Sequence, residues 1–148
     1  MEGEIKGLFL LVFCSIPQAT LADSGTATCY TEYVPSACYG YDNPGGMIAA
    51  ASDELWEGGA ACGRTSLVTC TGATNLGDPH PCTGASVVVT IVDYCPSGCR
   101  GTIDLSQEAF AAIAHLEAGK ALVKLISEYL ITPTRRPLVG NYDGLRMA

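Results

Sequence analysis

Seven cysteines, Cys29, Cys38, Cys62, Cys70, Cys82, Cys95 and Cys99, fall between residues 29 and 99. That density fits an exported domain held by disulfides far better than a chain kept reduced inside a cell. The N-terminus points the same way. Leu8 to Ile16 (LFLLVFCSI) is an apolar run of signal-peptide length, too short to span a bilayer. Residues 1–22 are therefore expected to be a signal peptide, with small residues around Thr20-Leu21-Ala22 offering cleavage before Asp23. Its flank is atypical, since Glu2 and Glu4 stand beside the single Lys6. The eighth cysteine, Cys14, would leave with the leader. An odd number cannot all pair internally, and sequence alone leaves several connectivities open. A zinc site is disfavoured because Cys95-Pro-Ser-Gly-Cys99 has no partner pair and only His80 and His115 could join it.

No later stretch approaches the roughly 18 apolar residues of a membrane-spanning helix, so no stable membrane insertion is expected. The length after the leader suits one domain, assigned to residues 23–126. The formal net charge is -7, and Arg135-Arg136 are the only adjacent basic residues, which argues against nucleic acid as a partner.

Turn signals are dense: Asn43-Pro44-Gly45-Gly46, Gly58-Gly59, Gly77-Asp78-Pro79, Cys82-Thr83-Gly84 and Pro96-Ser97-Gly98. Short strands fit between them at Gly25 to Tyr30, Met47 to Ala51, Thr65 to Cys70, Thr102 to Leu105 and within Ala121 to Ile126. Ser86 to Asp93 (SVVVTIVD) is apolar at nearly every position and reads as a strand buried on both faces. One helix is well marked: Ser106 caps it, Gln107 and Glu108 suit its first turn, Ala109 to Ala114 propagate it, and Gly119 stops it. A second helical turn is expected at Ser52 to Trp56, ended by Gly58-Gly59. Short strands with few helices indicate a small all-β barrel or sandwich.

Several spaced segments resemble the plant natriuretic peptides and blight-associated proteins, single-domain relatives of the expansin N-terminal domain. They are GTATCYTEYVPSACYGY (25–41), MIAAASDELWEGGAACG (47–63), VTCTGATN (68–75), PCTGASVVVTIVDYCPSGCRGTIDLSQEAFAAIA (81–114) and AGK (118–120). The resemblance implies a mainly β fold, a six-stranded double-psi β-barrel with one or two short helices and an open groove across one face. It also implies the pairs Cys38–Cys62, Cys70–Cys82 and Cys95–Cys99, leaving Cys29 over. If Thr28 and Tyr30 face the groove, strand alternation turns Cys29 toward the core as an inert thiol; the alternative is a disulfide dimer through Cys29, the chain otherwise being a monomer.

The groove candidates implied by resemblance are Thr28, Tyr30, Asp93, Tyr94 and Asp104. Asp104, in Gly101-Thr-Ile-Asp-Leu-Ser106, matches the acid of related inverting endoglucanases, and Thr28 and Tyr30 match residues that hydrogen-bond near it. An Asp just before a helix also often serves only to bind backbone amides. Inverting hydrolysis needs a second, ionised carboxylate roughly 6.5 to 9.5 Å away. The matching place lies near Glu32, which reads as a surface residue, so no confident catalytic residue is assigned. Tyr30, Tyr33, Tyr39, Tyr41, Trp56 and Tyr94 are possible sugar-stacking rings, although Trp56 is better placed to pack on the barrel beside Leu55. His80 reads as a solvated loop residue.

No cofactor is implied. The resemblance leads to a non-catalytic secreted protein of the apoplast, acting in water and solute balance or stress responses through a cell-surface receptor or a cell-wall polysaccharide. The alternative is a wall-loosening protein or a weak glucan hydrolase using Asp104. Residues 127–148, with Thr132-Pro-Thr-Arg-Arg-Pro137, match nothing in the group and read as a flexible tail.

Overall fold

A computed structural model describes residues 21–74, 77–95 and 99–128. The six strands are β1 (Leu21–Tyr30), β2 (Ile48–Ala51), β3 (Thr65–Ala73), β4 (Ser86–Tyr94), β5 (Ile103–Ser106) and β6 (Ala121–Glu128). They close into a barrel in the order β1-β5-β2-β4-β3-β6. Two neighbouring pairs, β1/β5 and β2/β4, run parallel and the rest antiparallel. This is the six-stranded, mainly β barrel that the resemblance implied. β1 begins at Leu21, so the last two residues of the expected leader are written into the strand, Leu21 opposite Ser127 and Ala22 opposite Ile126. The first two residues of the expected tail, Ser127 and Glu128, are paired in β6 opposite Ser66 and Thr65; the rest of that tail, and the leader before residue 21, lie outside the described residues.

Period-two alternation builds the interior. Ala27 of β1, Ala49 and Ala51 of β2, Val68 of β3, Val87, Val89 and Ile91 of β4, Ile103 and Leu105 of β5, and Ala121, Val123 and Leu125 of β6 are all buried in one cluster. One helix, α2 (Gln107–Ile113), adds Ala109, Phe110 and Ile113 to it. Phe110 is fully buried.

Three expectations are refined. The Ser86 to Asp93 run is not buried on both faces along its length: Val88, between inward Val87 and Val89, is 55% exposed. Burial on the outer face is reached only at Val92, whose carbonyl accepts the Cys38 amide from the loop that crosses there. The main helix also ends earlier than Gly119. Ala114 is already extended and forms a bridge to Cys82, while the His115 amide bonds to the Pro81 carbonyl, and these contacts draw the chain off the helical path. Gly119, at φ 63°, ends a separate 3₁₀ turn at Leu116–Ala118. The first helix, α1 (Asp53–Trp56), runs into a 3₁₀ turn at Glu57–Gly59.

The disulfides are Cys38–Cys62, Cys70–Cys82 and Cys95–Cys99, with Cα atoms 5.7, 5.4 and 5.5 Å apart. All three separations fall within the usual range for a cystine. Cys29 is free.

Candidate functional site

Register, not sequence proximity, brings the residues expected of a groove into one row. The parallel β1/β5 pair sets Thr28 opposite Asp104, the antiparallel β5/β2 pair sets Asp104 opposite Ala50, and the parallel β2/β4 pair sets Ala50 opposite Asp93. Their chain neighbours Ala27, Ile103, Leu105, Ala49 and Ala51 point inward. The row Thr28, Asp104, Ala50, Asp93 therefore lies on the outer face of four adjacent strands. At about 4.8 Å per strand, the backbones carrying the two aspartates stand about 10 Å apart.

Thr28 Oγ1 donates to Asp104 Oδ1 at 2.8 Å. Burial raises the Asp104 carboxyl above the ordinary range, and the Thr28 bond offsets part of that rise. Next along β1 and on the same face, Tyr30 is half-buried. Its hydroxyl is pushed well above the ordinary tyrosine range, first by burial and then by the negative charges of Asp93 and Asp104. The Tyr30 Oη atom is buried with no hydrogen-bond partner among the described residues. An orphaned hydroxyl within the field of two carboxylates is an unusual polar feature of this outer face.

Tyr30 is braced by Tyr33, whose ring meets it edge-on at 5.3 Å. The Tyr33 hydroxyl accepts the Gln107 amide at 3.1 Å and donates to Glu108 Oε2 at 2.5 Å, so the ring pair is tied to the start of α2. That bond lowers the Glu108 carboxyl. Asp93 faces the other way in function: its Oδ1 accepts the amides of Ala37 and Tyr94, both at 2.8 Å. Tyr94 donates to the Asp53 carboxylate, a bond that holds its hydroxyl above the ordinary tyrosine range and so against ionisation, and its ring stacks on Trp56 at 5.2 Å.

Of the sequence candidates, Thr28, Tyr30 and Asp104 come together, Asp93 borders them as a loop anchor, and Tyr94 sits on the far side with Trp56. Trp56 also packs against the core with Leu55. Glu32 is exposed on the turn after β1. Cys29 is partly buried against the core, and burial, then the Asp104 charge, raises its thiol. His80 contributes its amide to Asp78 Oδ1 at 2.7 Å, while it is His115 whose Nδ1 lies 2.7 Å from Asp78 Oδ2. The brace from Tyr33 and the His115 pair were not foreseen, and no local pattern signals either, because their partners are 75 and 37 positions away in the chain.

A family of double-psi β-barrel domains described as lytic transglycolase matches residues 48–125. An EG45-like domain containing protein of Citrus jambhiri is 58% identical over 115 residues, which cover 77% of this chain and 88% of that protein. Among solved structures, apo expansin of Clavibacter michiganensis is similar with a TM-score of 0.58 at 27% identity. A mutant of that expansin in complex with cellohexaose gives 0.55 at 25%. Each match covers 73% of this chain but only 50% of the expansin, so the chain spans about half the length of that protein. On the extent of the Citrus match and the closed six-stranded barrel, the chain belongs to the EG45-like, plant natriuretic peptide-like family of expansin-related double-psi β-barrel proteins.

Proposed function

We propose that this is a secreted, non-hydrolytic protein of the plant apoplast that acts in water and solute balance by recognition, with a cell-wall polysaccharide seated in the groove over Asp104. The observation that carries the reading is the Thr28–Asp104 bond beside the orphaned Tyr30 hydroxyl. Together they offer a sugar hydroxyl both a carboxyl partner and a phenol in need of one. The cellohexaose complex of the related expansin supports the ligand class.

Recognition is favoured over hydrolysis by the state of the other carboxylates. An inverting mechanism needs a second, ionised group free to activate water. Asp93 already accepts two amides through one oxygen, and Glu32 is exposed on the turn after β1. The raised Asp104 carboxyl favours a second reading, in which it is the acid of a weak glucan hydrolase.

A cellulose pull-down and a reducing-sugar assay on wild type and Asp104→Asn separate the two, alongside a protoplast swelling assay. Binding without sugar release is expected of wild type. Sugar release that the substitution abolishes would establish the hydrolase instead. Swelling that survives Asp104→Asn would assign signalling to a receptor contact away from the groove.

A further inference from the structure

Four of the seven exposed large hydrophobic side chains among the described residues lie within residues 34–47: Val34 at 44%, Tyr39 at 45%, Tyr41 at 82% and Met47 at 49%. Exposed apolar groups concentrated on one loop, where the rest of the surface scatters them, mark a contact surface. This loop is also unusually well fastened. Ser36 and Gly40 exchange backbone hydrogen bonds at 2.7 and 2.9 Å, and Ser36 Oγ accepts the Tyr39 amide at 3.1 Å. The Cys38 amide bonds to Val92 and its sulfur to Cys62. Tyr39 reaches back over Gly63, where an added Cβ would come within 3.0 Å of its hydroxyl oxygen. A ring held as that of Tyr39 is loses little freedom when a ligand covers it, and Tyr41 presents its exposed ring two residues further along the same fastened loop.

The loop is continuous with the groove. The Ala37 amide is held by Asp93, the last member of the groove row, and the Met47 carbonyl accepts the Thr90 amide where the loop enters β2. We propose that Tyr39 and Tyr41 form an aromatic platform that extends the groove, so that one glycan chain passes from Asp104 across Asp93 and stacks its outer sugars on these rings. The inference rests on the groove being a polysaccharide site. The occupant is a neutral glycan rather than a polyuronide, because Asp42 follows Tyr41 directly, Asp93 stands at the junction and the chain is acidic overall, with a net charge of -7. Flat, electron-rich rings complement the apolar faces of such sugars.

The test is calorimetric titration of cellotriose and cellohexaose into wild type, the double variant Tyr39→Ala/Tyr41→Ala and the double variant Tyr39→Phe/Tyr41→Phe. Cellohexaose should bind the alanine variant about tenfold more weakly, as expected for loss of ring stacking. Cellotriose affinity should be unchanged, and the phenylalanine variant should match wild type. If wild type binds cellohexaose and the alanine variant binds it equally well, the platform is overturned while the groove reading stands. An equal loss for both sugars would also overturn it, by showing that the rings serve the groove or the fold as a whole. Failure of wild type to bind either sugar would sink the groove reading and the platform with it. Self-association in sedimentation that Tyr41→Ala abolishes would assign the surface to a second copy of the chain instead.

Discussion

A carboxyl group drawn partly out of water favours its neutral form, and Asp104 is in that position between Thr28 and the Tyr30 ring. Its folded-state value lies above the unfolded one of about 3.9, so between the two the native protein binds the extra proton. Stability contributed by this site is then present in acid and falls as pH rises through the window. Asp104→Asn keeps an oxygen to accept the Thr28 hydroxyl without the buried charge. Urea unfolding should therefore find it more stable than wild type at neutral pH and no more stable near pH 3; equal stability at both would refute the burial argument. Cys29 gives a second residue-scale outcome. Its raised thiol and its packing against the core keep it in the unreactive form. Iodoacetamide should label it slowly in native protein and rapidly in urea, and a non-reducing gel should run as monomer. The inward turn of Cys29 was legible from alternation alone, because Ala27 two positions earlier is fully buried. The strength of its neighbour's field was not, since Asp104 arrives from 75 positions away.

At the scale of elements, β5 passes directly into α2, and Ser106 is the hinge between them. Its hydroxyl accepts the Ala109 amide at 3.3 Å, donates to the Gly46 carbonyl and is fully buried. Ser106→Ala removes a cap and strands a carbonyl at once, for a cost of about 2 to 3 kcal/mol in chemical unfolding. A loss of under about 0.5 kcal/mol, below the usual worth of a cap alone, would refute both roles. The start of this helix could be read from Ser106-Gln107-Glu108 because capping is local chemistry. Its end could not, because Ala114 leaves the helix to meet Cys82, a partner set by the fold of another loop. The same division holds for the groove. Strand positions followed from alternation and turn residues, whereas the row Thr28, Asp104, Ala50, Asp93 depends on parallel registers between segments far apart in sequence.

For the molecule as a whole, barrel closure brings β1 against β6 and β3 against β6, and the cystines fix the loops that this closure leaves outside the sheet. Their pairing was accessible only through family resemblance, since the spacing of cysteines does not choose partners. Once the pairs are known, chain entropy orders them. Cys38–Cys62, Cys70–Cys82 and Cys95–Cys99 close loops with sequence separations of 24, 12 and 4. Cross-linking of such loops restricts the unfolded chain by about 3.5, 3 and 2 kcal/mol respectively. Paired Cys→Ala substitutions should lower the urea midpoint in that order. The first has a further consequence, because the Cys38–Cys62 bond also anchors the loop bearing Tyr39 and Tyr41, whereas Cys70–Cys82 ties β3 to the segment before β4. Cys38→Ala/Cys62→Ala should thus weaken cellohexaose binding at a temperature where the variant is still folded, and Cys70→Ala/Cys82→Ala should not. Equal affinities for the two variants would separate the loop's fastening from ligand binding and leave the cystine a purely stabilising role.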